Sequence, residues 1–138
     1  MEPDHIPEPR IAVLIPCYNE SSAIAGVVAD FKATLPTAEI YVYDNNSSDD
    51  TVAVAREAGA LIGVEHYQGK GHVVRRMFAD IDAGVYVLVD GDGTYDAASA
   101  PKMVELLQRN RLDMVVGSRQ HRQAAAYRSG HVWGNRML

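Results

Sequence analysis

The chain has 138 residues, 47% hydrophobic and 22% charged, a mix that fits one globular domain and excludes both a disordered segment and two ordinary domains. No run approaches the roughly 20 apolar residues of a membrane span, and the lone Cys17 cannot close an internal disulfide. The net charge of -5 is uneven: residues 114–138 hold four arginines and no acid while residues 1–113 hold every acid, so a broad nucleic-acid footprint is excluded.

Residues 1–10, MEPDHIPEPR, carry three prolines and no periodicity and read as a loose arm. The arm is acidic where a secretory signal would be basic and then apolar, so the expected location is the cytoplasm. IAVLIP (11–16) is a continuous apolar run of strand type. Ile24, Val27, Val28 and Phe31 then recur at helical spacing, closed by Pro36. EIYVYD (39–44) predicts a second strand, and Asp49 or Asp50 is placed to cap a helix over TVAVAREA that ends at Gly59. LIGVEHY (61–67) predicts a third strand. Val73, Val74, Met77, Phe78 and Ile81 mark a third helix, VYVLVD (85–90) a fourth strand, Ser99 and Pro101 open a helix through about Arg109, and LDMVVGS (112–118) predicts a fifth strand. The last stretch, RSGHVWGNRML (128–138), has the look of a helix barely begun. Apolar strands alternating with helices predict an α/β fold, an open and mostly parallel sheet with helices on both faces, here truncated to one half of something larger.

In such a sheet ligands bind beyond the carboxyl ends of the strands. There the sequence places Cys17-Tyr18-Asn19-Glu20 after the first strand, Asp44-Asn45-Asn46-Ser47-Ser48-Asp49 after the second and Asp90-Gly91-Asp92 after the fourth. Each cluster alone is ordinary turn or cap chemistry; three on one edge predict a site. Five histidines show neither HExxH nor zinc-type Cys/His spacing, so a metal here would be held by oxygen. Carboxylates suit Mg²⁺ or Mn²⁺, and Mg²⁺ typically takes one or two of them together with substrate phosphate oxygens. An EF-hand loop from Asp90 fails at Tyr95 and Pro101, Gly69-Lys70-Gly71 lacks the Ser/Thr of a P-loop, and the first turn has no dinucleotide-type glycines.

IPCYNE (15–20), YDNNSSDDT (43–51), GKGHVVRRMF (69–78), VDGDGTYD (89–96) and VVGSR (115–119) together resemble the family 2 glycosyltransferases of GT-A fold, above all the branch similar to dolichol-phosphate mannose synthase and polyprenyl-phosphate sugar transferases. The resemblance runs from about Ile11 to the end. It implies transfer of a sugar from a UDP- or GDP-linked donor to a polyprenyl phosphate or a glycan, with Mg²⁺ or Mn²⁺ as cofactor, at the inner face of the membrane if the acceptor is a lipid. It implies that residues 11–138 are the nucleotide-sugar-binding part and that the acceptor-binding part is missing. By position, Pro16, Tyr18 and Glu20 would border base and ribose, Asp44 would bond the base, Asn46 would belong to the donor site, and Lys70 would approach the phosphates. Asp90 would serve the ribose or sugar, Asp92 would be the principal metal ligand, and Arg119 would meet a phosphate. Thr94 stands where several relatives offer a glutamine.

Two other readings fit parts of the pattern. Asp90-Gly-Asp-Gly-Thr94 also matches the DxDxT nucleophile motif of haloacid-dehalogenase phosphotransferases, although there it belongs to a first strand. A nucleotide-binding or receiver-like module without catalysis suits the size of the chain.

Overall fold

The computed structural model describes residues 7–118. Its elements are β1 (Ile11–Cys17), α1 (Ile24–Thr34), β2 (Glu39–Asp44), α2 (Thr51–Glu57), β3 (Leu61–Val64), α3 (Lys70–Asp80), β4 (Val85–Leu88), a 3-10 turn (Ala97–Ser99) and α4 (Ala100–Arg109). All four strands pair in parallel in the order β3-β2-β1-β4. The α/β expectation is met.

Alternation along β1 explains the layering. Val13, Ile15 and Cys17 join one core with Ile24, Val28 and Phe31 of α1, Ala55 of α2 and Val104 of α4. Ala12 and Leu14 point the other way, onto Val73 and Met77 of α3. A strand covered on both faces must be apolar at successive positions, which is why IAVLIP reads as an unbroken run. The parallel ladder also dictates where the sheet opens. Cys17 accepts from the Asn45 amide while Leu14 accepts from Val89, so even positions of β1 face β4. Pro16 has no N–H to offer Val89, and the pairing of β1 with β4 stops at Leu14 and Leu88. Beyond that point the chain is released as the loop carrying Asp90 and Asp92.

Four expectations are corrected. β3 ends at Val64 rather than Tyr67, because the backbone carbonyls of Glu65 and Tyr67 are taken by the Asn45 side chain instead of a ladder. β4 likewise ends at Leu88. LDMVVGS forms no strand: Leu112 turns back to the Leu107 carbonyl to close α4, and Met114 and Val116 are 74% and 77% exposed. An apolar run becomes a strand only where neighbours cover its faces, so β4 is an edge among the described residues. Arg10, read as loose arm, is fastened: its guanidinium bonds both Glu39 oxygens, the Tyr41 hydroxyl and the Asp82 carbonyl. Residues 1–6, the helix expected over 128–138 and Arg119 lie outside the described residues. Among the described residues no helix is long and apolar enough to cross a membrane.

Glycine sets one close approach. A Cβ on Gly63 of β3 would lie 2.4 Å from the Tyr43 ring, and that ring is buried and pinned by a 2.9 Å bond from its hydroxyl to Asp80. A Cβ on Gly26, in the first turn of α1, would meet nothing within 4 Å. Gly63→Ala is therefore expected to lower the unfolding free energy by about 1–3 kcal/mol through overpacking, while Gly26→Ala raises it by about 0.5–1 kcal/mol through helix propensity. Denaturant titration of the two variants checks the pair of opposite signs.

Candidate functional site

The loops after β1, β2 and β4 share the carboxyl edge because the strands are parallel, and side chains lace the first two to each other. Asn19, at φ 51°, receives the Ser48 amide on its Oδ1 at 2.8 Å, and its own amide donates to the Ser47 hydroxyl at 2.8 Å. The Glu20 amide donates to the Thr51 hydroxyl at 2.9 Å and the Ser21 amide to Asp49 at 3.2 Å. Asp49, rather than Asp50, receives the first amide of α2, from Thr51 at 3.0 Å. These bonds lock the β1–α1 loop against the start of α2.

A second clasp ties β2 to α3. Asn45 is 3% exposed and uses its whole amide: Nδ2 donates to the Glu65 and Tyr67 carbonyls, each at 2.8 Å, and Oδ1 accepts from Gln68 at 3.1 Å and from the Gly69 amide at 2.8 Å. Gly69 is the residue before α3 and holds φ 134°, so this clasp sets where Lys70, the first helical residue, emerges. Asn46, at φ 65°, adds donations to the His66 carbonyl and to Gln68. Sequence reasoning missed Asn45 because a clasp formed across 20 residues leaves no periodic trace. Its one signal is an amide-bearing residue directly after a strand-ending aspartate.

The proposed site residues are brought together as follows. Pro16 is buried in β1 opposite Tyr43. Tyr18 is 53% exposed at the mouth of the edge. Asp44 is 5% exposed at the end of β2; its Oδ2 accepts from the Ser47 amide at 3.0 Å, and its buried Oδ1 has no hydrogen-bond partner among the described residues. Asp90 is gripped from two sides, by an ion pair from Lys70 to Oδ1 and by the Tyr95 hydroxyl to Oδ2 at 3.2 Å. Asp92 is exposed, with Oδ1 accepting from the Thr94 amide at 3.0 Å and the Thr94 hydroxyl at 2.6 Å. Thr94 thus orients Asp92. Gly91 lets the acidic loop lie against β1, since a Cβ there would sit 2.5 Å from the Cys17 sulfur and 3.5 Å from Glu20 Cγ.

The electrostatics report the same convergence. Burial raises the Glu20 carboxyl above its usual range, and Asp92, Asp90 and Asp49 add repulsion in that order. The buried Cys17 thiol is pushed up to about 12, by burial first and then by Glu20, Asp44, Asp90 and Asp49, which leaves it inert as a nucleophile. Mutually repelling carboxylates at a solvent-facing edge are a place for positive charge. Among the described residues no three His, Cys, Asp or Glu side chains are arranged to enclose a metal unaided. The hard-oxygen donors present fit a Mg²⁺-like ion that draws its remaining ligands from a substrate's phosphates and water.

With that geometry in place, the comparisons define the class. The profile of glycosyl transferase family 2 matches residues 12–137, and the chain belongs to that family. It is similar to Protein RfbJ of Shigella flexneri, with 59% identity over 123 residues that cover 88% of this chain and 95% of RfbJ. It is 36% identical to the dolichyl-phosphate hexose transferase of Haloferax volcanii over 110 residues, covering 79% of this chain and 47% of that one. Glucosyl-3-phosphoglycerate synthase of Mycobacterium tuberculosis, solved in complex with UDP, superposes with a TM-score of 0.65 at 25% identity over 72% of this chain and 40% of its own. The same enzyme has been solved with Mn²⁺, UDP and phosphoglyceric acid. The chain therefore spans nearly all of RfbJ and under half of the other two.

Asp49 offers a pH test of the lacing. Hydrogen bonds, foremost from the Thr51 hydroxyl and then from Ser21, hold its carboxyl down at about 2. A folded-state value below that of the free side chain means stability that is complete above pH ~4 and is lost as pH falls toward the folded value. The melting temperature of Asp49→Asn is expected to lie below that of the unmodified chain at pH 6 and to converge on it between pH 4 and 2. A constant gap across that window would contradict the assignment.

Proposed function

We propose that this chain binds a nucleoside-diphosphate sugar along the carboxyl edge of β1, β2 and β4 and serves the transfer of its hexose to an acceptor. The observation that carries this reading is Asp44: a buried carboxylate oxygen with no partner among the described residues, on a residue 5% exposed, is costly unless a donor is supplied by a ligand. A base with a ring N–H, as in uracil or guanine, supplies one. Tyr18 and Pro16 would then flank the base, Glu20 would border the ribose, and Asn46 would act on the donor through the loop it holds.

Asp90 faces the ribose or sugar, Lys70 meets the diphosphate, and Asp92 is the residue that would hold a divalent cation, with Glu20 beside it. A bound Mg²⁺ or Mn²⁺ supplies positive charge for the leaving diphosphate. The anomeric C–O bond to the diphosphate breaks, an acceptor oxygen bonds the anomeric carbon, and charge grows on the departing nucleoside diphosphate, where the Lys70 ammonium stabilises it. Arg119, outside the described residues, is assigned to a donor or acceptor phosphate.

A polyprenyl phosphate is the favoured acceptor, with a glycan as the other. Its phosphate oxygen is already anionic and needs no general base, whereas a sugar hydroxyl does. The dolichyl-phosphate specificity in the name of the Haloferax relative supports this choice. Such an acceptor places the work at the inner, cytoplasmic surface of a membrane, where the four arginines of residues 114–138 would favour anionic lipid. The haloacid-dehalogenase reading is not favoured, because Asp90 follows the fourth strand in sequence and is engaged by both Lys70 and Tyr95.

Calorimetry with UDP and GDP, with and without Mn²⁺, tests the proposal. Binding is expected to require Mn²⁺, and Asp92→Ala is expected to weaken it about tenfold or more, the effect of losing one interaction with a charged group. Metal-independent binding that ignores Asp92→Ala would remove the assignment. Asp44→Asn supplies a sharper check on the base. Its oxygen can keep the Ser47 amide and turn an NH₂ toward the ligand, so preference should move about tenfold or more from uridine or guanosine diphosphate toward cytidine diphosphate, whose ring nitrogen accepts.

A further inference from the structure

Asp90 is held by two groups of opposite character. Lys70 reaches Oδ1 from the first turn of α3, with 37% of its side chain exposed on a long, flexible stem. Tyr95 reaches Oδ2 from the loop before the 3-10 turn, on the α1 side of the sheet, with its ring packed against the main core. One partner is a mobile cation and the other a fixed neutral donor.

The pairing has a consequence for donor binding as proposed above, on which this inference rests. In that reading Lys70 meets the diphosphate, so donor binding draws it away from Asp90. Asp90 then loses its stronger restraint at the moment when it must face the ribose, and the Tyr95 hydroxyl on Oδ2 is the side-chain bond left to fix its rotamer. We propose that Tyr95 is a positioning residue: it holds Asp90 toward the ribose hydroxyls while Lys70 changes partners from Asp90 to the diphosphate. Tyr95 is assigned no contact with the donor or the reacting atoms; its effect on the ribose passes through Asp90.

The test separates that role from ordinary packing. The 138-residue chain, as Tyr95 and as Tyr95→Phe, is titrated by calorimetry in Mn²⁺ with UDP and with 2′,3′-dideoxy-UDP, or with the guanosine pair if GDP is the tighter ligand; melting temperatures verify the fold. Tyr95→Phe is expected to weaken the ribonucleotide about tenfold, the effect of losing one hydrogen bond to a charged group, and to leave the dideoxy ligand within twofold. Tyr95→His, which keeps a ring N–H donor, is expected to recover most of the loss. An equal loss for both ligands would reduce Tyr95 to packing, and no loss for either would overturn the proposal, as would a histidine variant as weak as the phenylalanine one. If the unsubstituted chain binds neither UDP nor GDP, it is the donor-site reading that fails, and this inference falls with it.

Discussion

Like-charge repulsion at the carboxyl edge of the sheet is the constraint around which this molecule is arranged. Glu20, Asp49, Asp90 and Asp92 come from three different loops, and the upward shift of the Glu20 carboxyl, from burial and then from Asp92, Asp90 and Asp49, records their convergence. A fold tolerates such crowding when something else fixes the backbones. Here that is the neutral lacing by Asn19, Asn45, Asn46 and Thr51, whose side chains bind neighbouring loops through amides and carbonyls. That lacing fixes the loops of Glu20 and Asp49, while Lys70 and Tyr95 hold Asp90 and Thr94 holds Asp92.

β1 links this edge to the rest of the fold. It is central, buried on both faces, and carries Pro16 at the point where its ladder to β4 must end. The apolar run that stabilises the core and the proline that releases the acidic loop are thus consecutive parts of one strand. Gly91 completes the geometry by letting that loop lie on Cys17. Fold stability and site placement are not separable here, because the same six or seven residues serve both.

Much of this was legible in the sequence because it follows local rules. β2 matches its expected span, the second helix is closed by Gly59, which follows the C-cap Ala58 with φ 94°, and the three polar clusters fall on one edge as parallel topology requires. What was illegible depends on partners distant in sequence. Asn45 looks like any turn residue until the loop 20 residues on folds over it. Arg10 looked like part of an arm because only Glu39 and Tyr41, across the sheet, give it a place. LDMVVGS has strand composition, but its exposed Met114 and Val116 find no cover among the described residues. The Lys70 and Asp90 pairing was likewise hidden: sequence placed each near phosphate or ribose, and the structure shows them holding one another.

The proposed meeting of a divalent cation and a nucleoside diphosphate at this edge is tested most directly by paramagnetic relaxation in solution. Amide resonances of the ¹⁵N-labelled chain are followed as Mn²⁺ is added in trace amount, first alone and then with UDP or GDP. Expected is selective broadening centred on residues 90–94 and on Glu20, sharpened by the nucleotide and extending to Lys70. Broadening centred elsewhere on the fold, or a pattern at residues 90–94 that the nucleotide leaves unchanged, would contradict the site.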